Sequence, residues 1–114
     1  TPTTGTTTTT TTPSHIVNPF TTAFLFTKNL KLGSTHPEVQ KLQQFLNVNK
    51  YTVATTGAGS IGKETNYFGP ATVKALNRFQ LAYTDTILTP LQLTKPTGNF
   101  FSYTRSKVNE MLRK

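Results

Sequence analysis

Any acid–base or metal chemistry in this sequence would have to come from His15, His36, Glu38, Glu64, Asp85 and Glu110. Cysteine is absent, which removes the thiolate nucleophile and the sulfur ligand together. The two histidines lie far apart, His15 in a tail and His36 in the first turn of an expected helix. No group of carboxylates stands near either to complete a ligand set. General acid–base catalysis needs two titratable groups held side by side. Here Glu38 is placed to cap a helix, and Glu110 projects from the outer face of another. We therefore expect no catalytic residue, no metal site and no cofactor. The stretch GAGSIG, Gly57–Gly62, fits G-x-G-x-x-G letter for letter. A dinucleotide site also needs a helix directly after it and an acidic residue about 20 positions on. KETNYFG follows instead, and position 77 is Asn. The stretch reads as a loop.

The net charge is +8, from 12 basic and 4 acidic residues, and no two basic residues adjoin except Arg113 and Lys114. Such a balance suits an anionic polymer or surface, or simply keeps a small domain in solution. Lys41, Lys74, Arg78, Arg105 and Lys107 occupy helix positions, with Tyr51, Tyr67 and Tyr103 as candidates to stack on bases. A single-strand reader needs its aromatics interleaved on one exposed face. Most aromatics here fall on core stripes, so no nucleic-acid partner is expected. No apolar run reaches 18 residues, so no membrane span is expected either. The first residue is Thr and no charged-then-apolar leader follows, as expected of a processed chain or a fragment.

The elements that would position any site begin after a low-complexity tract. Ten of the first twelve residues are Thr, and every charged residue lies at or after Lys28. Residues 1–14 form a Thr/Pro tract that cannot bury a core. Residues 15–29 read as an apolar extended arm, and residues 30–114 as the folded domain. AFLF, Ala23–Phe26, is of strand type, and Leu30 and Leu32 alternate as in a half-buried strand. THPE at Thr35–Glu38 announces the first helix, with Thr35 capping, Pro37 in the first turn and Glu38 reaching back. Val39, Leu42, Phe45 and Leu46 make its apolar stripe. The helix should end near Asn47, with Asn49 as a left-handed cap. The second helix starts at Pro70, with Thr72, Leu76, Phe79 and Tyr83 on one face. Thr89-Pro90 opens one short helical turn. The last helix runs from about Ser102 to Leu112, with Thr104, Val108 and Met111 inward.

TNYFGPATVKALNRFQ, Thr65–Gln80, is echoed 32 positions on by TGNFFSYTRSKVNEML, Thr97–Leu112. Thr65 falls on Thr97, Phe68 on Phe100, Thr72 on Thr104, Leu76 on Val108 and Asn77 on Asn109. The echo reads as a packing device in which two short helices bury equivalent stripes against the first.

These residues resemble the peptidoglycan-binding domain family of small three-helix modules. LKLGSTHPEVQKLQQFLN, Leu30–Asn47, and YFGPATVKALNRFQ, Tyr67–Gln80, carry the resemblance, and it extends over roughly Leu25–Leu112. It implies a mainly α, three-helix domain with no chemistry of its own, preceded by the Thr-rich arm. The sequence departs from the family by lacking Asp-Gly-x-Gly before the last helix, where Phe101 stands at the place of Gly69. The loop Thr55–Glu64 is also longer than in compact members. In the family the glycine of Phe-Gly is explained by a left-handed backbone that aims the helix, which is the expectation for Gly69.

Two functions follow. One is a wall-binding module whose groove offers Tyr67, Thr72, Arg78 and Gln80 to sugars and stem peptides; for Thr72 and Gln80 the competing role is capping and packing. The other is a structural subunit of a cell-surface filament on a bacterium, non-catalytic and extracellular. There Ile16, Val17, Phe20, Phe24 and Phe26 would engage another copy of the chain. Its Thr tract would carry O-linked glycans at Thr3, Thr4, Thr6, Thr7, Thr8, Thr9, Thr10, Thr11 and Thr12, since no N-x-S/T sequon occurs. The partners expected are copies of itself and peptidoglycan or other wall glycans. The sequence reading leans to the structural subunit, because the arm carries apolar anchors that the domain core does not need.

Overall fold

The computed structural model describes residues 24–113. Thr3 to Thr12, Ile16, Val17 and Phe20 lie outside the described residues. Among the described residues four α-helices form the body: α1 (Pro37–Val48), α2 (Pro70–Ala82), α3 (Thr84–Ile87) and α4 (Ser102–Leu112), with a 3₁₀ turn at Thr89–Leu91. The fold is mainly helical, as expected, and the helices at Pro70 and Ser102 begin where the sequence placed them. The short α3 was not anticipated. TDTI is too short and too polar for its periodicity to register, and the helix leans on α4 and the 3₁₀ turn.

Each predicted stripe is buried except at Tyr83, which is half-buried and caps the end of α2. Val39, Leu42, Phe45 and Leu46 of α1 meet Leu76 and Phe79 of α2 and Val108 and Met111 of α4 in one core with Ile87, Leu88 and Phe68. Phe79 sits edge-on to both Phe45 and Tyr51, at ring separations of 5.7 and 5.4 Å. Burial raises the Tyr51 hydroxyl above the usual phenol range, and its neighbour Tyr83 adds to the shift by charge and hydrogen bonding.

No strand forms among the described residues. The Leu30–Leu32 alternation is real, since Leu30 is buried and Leu32 exposed, but it supports only a single bridge to Phe100. The two N–H groups are exchanged there at 2.9 and 2.8 Å. A second bridge pairs Thr35 with Tyr67. That bridge keeps Thr35 extended and displaces the helix cap by one residue. His36 is the N-cap, its Nδ1 accepting from the Glu38 N–H at 3.0 Å. Thr35 is therefore not the cap. Nor does Glu38 reach back to it: its carboxylate accepts from the backbone of Thr27 and Lys28 and from the Thr27 hydroxyl.

At its other end α1 closes in a Schellman motif. Tyr51 N–H donates to the Leu46 carbonyl and Lys50 N–H to that of Asn47. The left-handed residue is Lys50, at φ 76°, whereas Asn49 has φ −94°. Asn49 instead donates its side chain to the Phe45 carbonyl, which lets the helix run past Asn47.

The largest correction concerns the arm. Phe26 is buried in the domain's own core, with Phe24 packed against it and Phe100 at 5.0 Å. Asn109 of α4 clasps the backbone of Phe26, accepting from its N–H at 2.8 Å and donating to its carbonyl at 3.1 Å. Phe24 and Phe26 thus belong to the body, and the boundary drawn at residue 30 is too late. The strap Phe24–Lys28 is tied to α4 through Asn109 and to α1 through Glu38. An apolar pair beside a Thr-rich tract looked free because Asn109, which clasps Phe26, lies 83 residues away along the chain.

Candidate functional site

The sequence echo has a physical centre in two buried glutamines: Gln80, expected in the groove with packing as its competing role, and Gln43, which the sequence reading did not name. Gln43 of α1 accepts from the Thr65 N–H at 2.6 Å. Its amide donates to the Tyr67 carbonyl at 2.9 Å and the Thr72 hydroxyl at 3.0 Å. Gln80 of α2 repeats this arrangement with the second copy. It accepts from the Thr97 and Gly98 N–H groups at 2.9 and 3.1 Å. Its amide donates to the Asn99 carbonyl at 2.9 Å and the Thr104 hydroxyl at 3.1 Å. In each copy the threonine before the turn accepts from the backbone two residues on, Tyr67 in one and Asn99 in the other. Each glutamine therefore pins the turn leading into the next helix. Helix α2 takes part in both units, receiving Gln43 through Thr72 and supplying Gln80 to α4.

Beside the first of these joints lies a cleft of about 180 Å³. Gln43, Thr65 and Thr72 of the joint line it, with Val53, Ala58 and Gly59 as one wall and Tyr67, Gly69, Pro70 and Ala71 completing it. Its lining has no charged side chain. The wall is positioned by Asn47 in the last turn of α1, which donates to the Gly59 carbonyl and to Glu64, both at 2.9 Å, and accepts from Val53 N–H at 2.8 Å. The Gly-rich loop is thus an organised cleft wall and has no helix after it. Gly59 is required there: its φ is +92°, and a Cβ would come within 3.0 Å of Val53.

Gly69 serves a different purpose from the one expected. Its φ of −101° and ψ of −176° are extended backbone, so no left-handed conformation aims α2. A Cβ at Gly69 would instead meet the Tyr67 ring at 3.0 Å. The absence of a side chain lets that ring lie on the backbone at the start of the helix. The second copy carries Phe101 and Tyr103 where the first has Gly69 and Ala71, so the small-residue floor is not repeated.

Of the four expected groove residues, Tyr67 and Thr72 come together at this cleft, while Arg78 and Gln80 do not line it. Tyr67 is 52% exposed and presents its ring at the rim. Thr72 and Gln80 are each 1% exposed and have their polar atoms engaged in the two joints. For these two the packing role is the one realised. Arg78 is exposed on α2 and donates to the Thr52 carbonyl, next to Val53 of the cleft wall.

The arrangement can receive a small neutral portion of a larger ligand. A volume of about 180 Å³ is below the 300–1,000 Å³ typical of sites that engulf a small molecule. An exposed tyrosine face beside small apolar residues suits one face of a sugar ring or a short peptide segment. Nothing in the lining is equipped for proton transfer or nucleophilic attack.

Comparison with protein families gives one match. Residues 35–84 fit the model of the family described as "Putative peptidoglycan binding domain". The match takes in α1, the cleft wall and α2, so the whole cleft lies within it, and the family recognised from the sequence is found over that segment. The family is described as a binding domain. Neither the curated proteins nor the solved structures yielded a match. Among the described residues no helix is long and apolar enough to cross a membrane.

Proposed function

We propose that this chain is a non-catalytic module that binds peptidoglycan through the Tyr67 cleft, at the wall of a bacterial cell. The observation that carries this reading is the placement of an uncharged cleft, floored by small residues and rimmed by one exposed tyrosine, wholly inside the family-matching segment. A sugar of the glycan strand stacks on the Tyr67 ring, and an adjoining substituent enters toward Thr65 and Gln43. The net charge of +8 draws the module toward an anionic wall.

The filament reading, with O-glycans on the Thr tract, draws no support from the body of the domain. Two of its five assembly residues, Phe24 and Phe26, face inward, and the others lie outside the described residues.

Co-sedimentation with purified sacculi tests the wall-binding reading. Tyr67→Ala is expected to lower affinity about tenfold or more, as loss of a central aromatic contact does. Its melting temperature should change little, because the ring is half exposed. Undiminished binding by Tyr67→Ala would remove the cleft from the function.

A further inference from the structure

The outer face of α2 joins the cleft to a second depression. At 3.6 residues per turn, Ala71, Lys74, Arg78 and Leu81 fall within a strip of about 80°. All four are exposed. Ala71 lines the Tyr67 cleft. Leu81, about 15 Å further along the helix at 1.5 Å per residue, lines a depression of about 320 Å³ with Tyr83, Thr84 and Asp85. Lys74 and Arg78 stand between the two. Neither is paired with a carboxylate among the described residues, where the ion pair formed is Lys107–Glu110. Arg78 is held in place by the Thr52 carbonyl at the cleft wall, so one of the two cations is fixed beside the cleft.

We propose that this face of α2 is a track for an extended anionic wall polymer. One unit sits in the cleft, negative groups meet Lys74 and Arg78, and a further unit rests on Leu81. This rests on the wall-binding reading of the cleft and adds the length and charge of the ligand to it. Asp85 borders the far depression, so the group seated there carries no negative charge. The anions are the carboxylates of the stem peptides, which the glycan strand seated in the cleft itself carries.

Binding is measured with a disaccharide-peptide monomer and with soluble glycan strands of several disaccharides, with and without attached phosphate polymer. Heparin serves as an unrelated polyanion. The strands are expected to bind about tenfold more tightly than the monomer, the scale of two exposed charge contacts. Lys74→Gln, which leaves the Arg78 clamp on Thr52 intact, should remove about two- to fivefold of that gain. Monomer affinity and melting temperature should not move. Equal gains for strands with and without the phosphate polymer are expected; a gain confined to the phosphate-bearing strands overturns the carboxylate assignment. Equal affinity for strand and monomer, or competition by heparin as effective as by strands, overturns the track. A monomer that does not bind at all overturns the cleft reading instead, and strand binding that still depends on Lys74 would then leave the ridge without the cleft.

Discussion

Replacing Gln80 by leucine is expected to destabilise the domain by about 3–5 kcal/mol, more than a buried side chain of similar size would suggest. The substitution keeps most of the volume and removes every polar atom. It leaves the buried Gly98 N–H and the buried Thr104 hydroxyl without the partner they have at 3.1 Å, and the Thr97 N–H and Asn99 carbonyl with only partial access to water. Each buried group so orphaned costs about 1–3 kcal/mol. Losing the joint also frees the turn into α4, whose Val108 and Met111 complete the core. Gln43→Leu should cost less, although its bonds are equivalent, because the first joint opens into the cleft and water can enter to satisfy Thr65 and Thr72. Denaturant titration of both variants measures the difference. A loss below about 1 kcal/mol for Gln80→Leu would mean that the joint is not what holds the second copy.

Phe26→Ala is expected to cost about 3–5 kcal/mol, the range for truncating a buried aromatic. Phe26 is 2% exposed and edge-on to Phe100, and its backbone is clasped by Asn109. The cavity would open where the strap, α4 and the Phe100 turn converge, so the strap itself should loosen from Glu38. Phe24→Ala should cost less, since that ring is only partly buried. Urea unfolding gives the stability and sedimentation the oligomeric state. The expected outcome is a large loss of stability with no change of oligomeric state before unfolding. An unchanged melt accompanied by a changed oligomeric state would return Phe26 to an assembly role.

The helices were legible because their signals are local. Pro70 in the first turn and the spacing of Leu76 and Phe79 define α2, and Val108 and Met111 define α4 in the same way. The echo between Thr65 and Thr97 was legible too, although its cause was not. The two glutamines that explain it lie 22 and 17 residues before their threonines. That difference in loop length destroys the common spacing that would have aligned Gln43 with Gln80. The cap at His36 and the strap at Phe26 were misread for a shared reason. Each depends on a contact far along the chain, Thr35 with Tyr67 in one case and Phe26 with Asn109 in the other. Periodicity along the chain carries no trace of either.

The candidate site was half legible. Tyr67 and Thr72 were both named as groove residues of the family resemblance. The small residues beside them gave no signal by type. Ala58, Gly59 and Ala71 contribute by what they lack, and a cleft made by absent side chains appears only once Asn47 has tied the loop to the end of α1. Arg78 was chosen for its charge, and its place is beside the cleft rather than in it.

The central claim is that wall glycan is bound at the Tyr67 cleft, and the most direct measurement is backbone amide chemical shifts during titration with soluble peptidoglycan fragments. The account predicts that the perturbed amides cluster at Gly59, Thr65, Tyr67, Gly69 and Ala71, with the Gln80 joint and the Phe26 strap unmoved. Perturbations confined to α4 and the Leu30 bridge, with the cleft amides silent at saturating ligand, would contradict it.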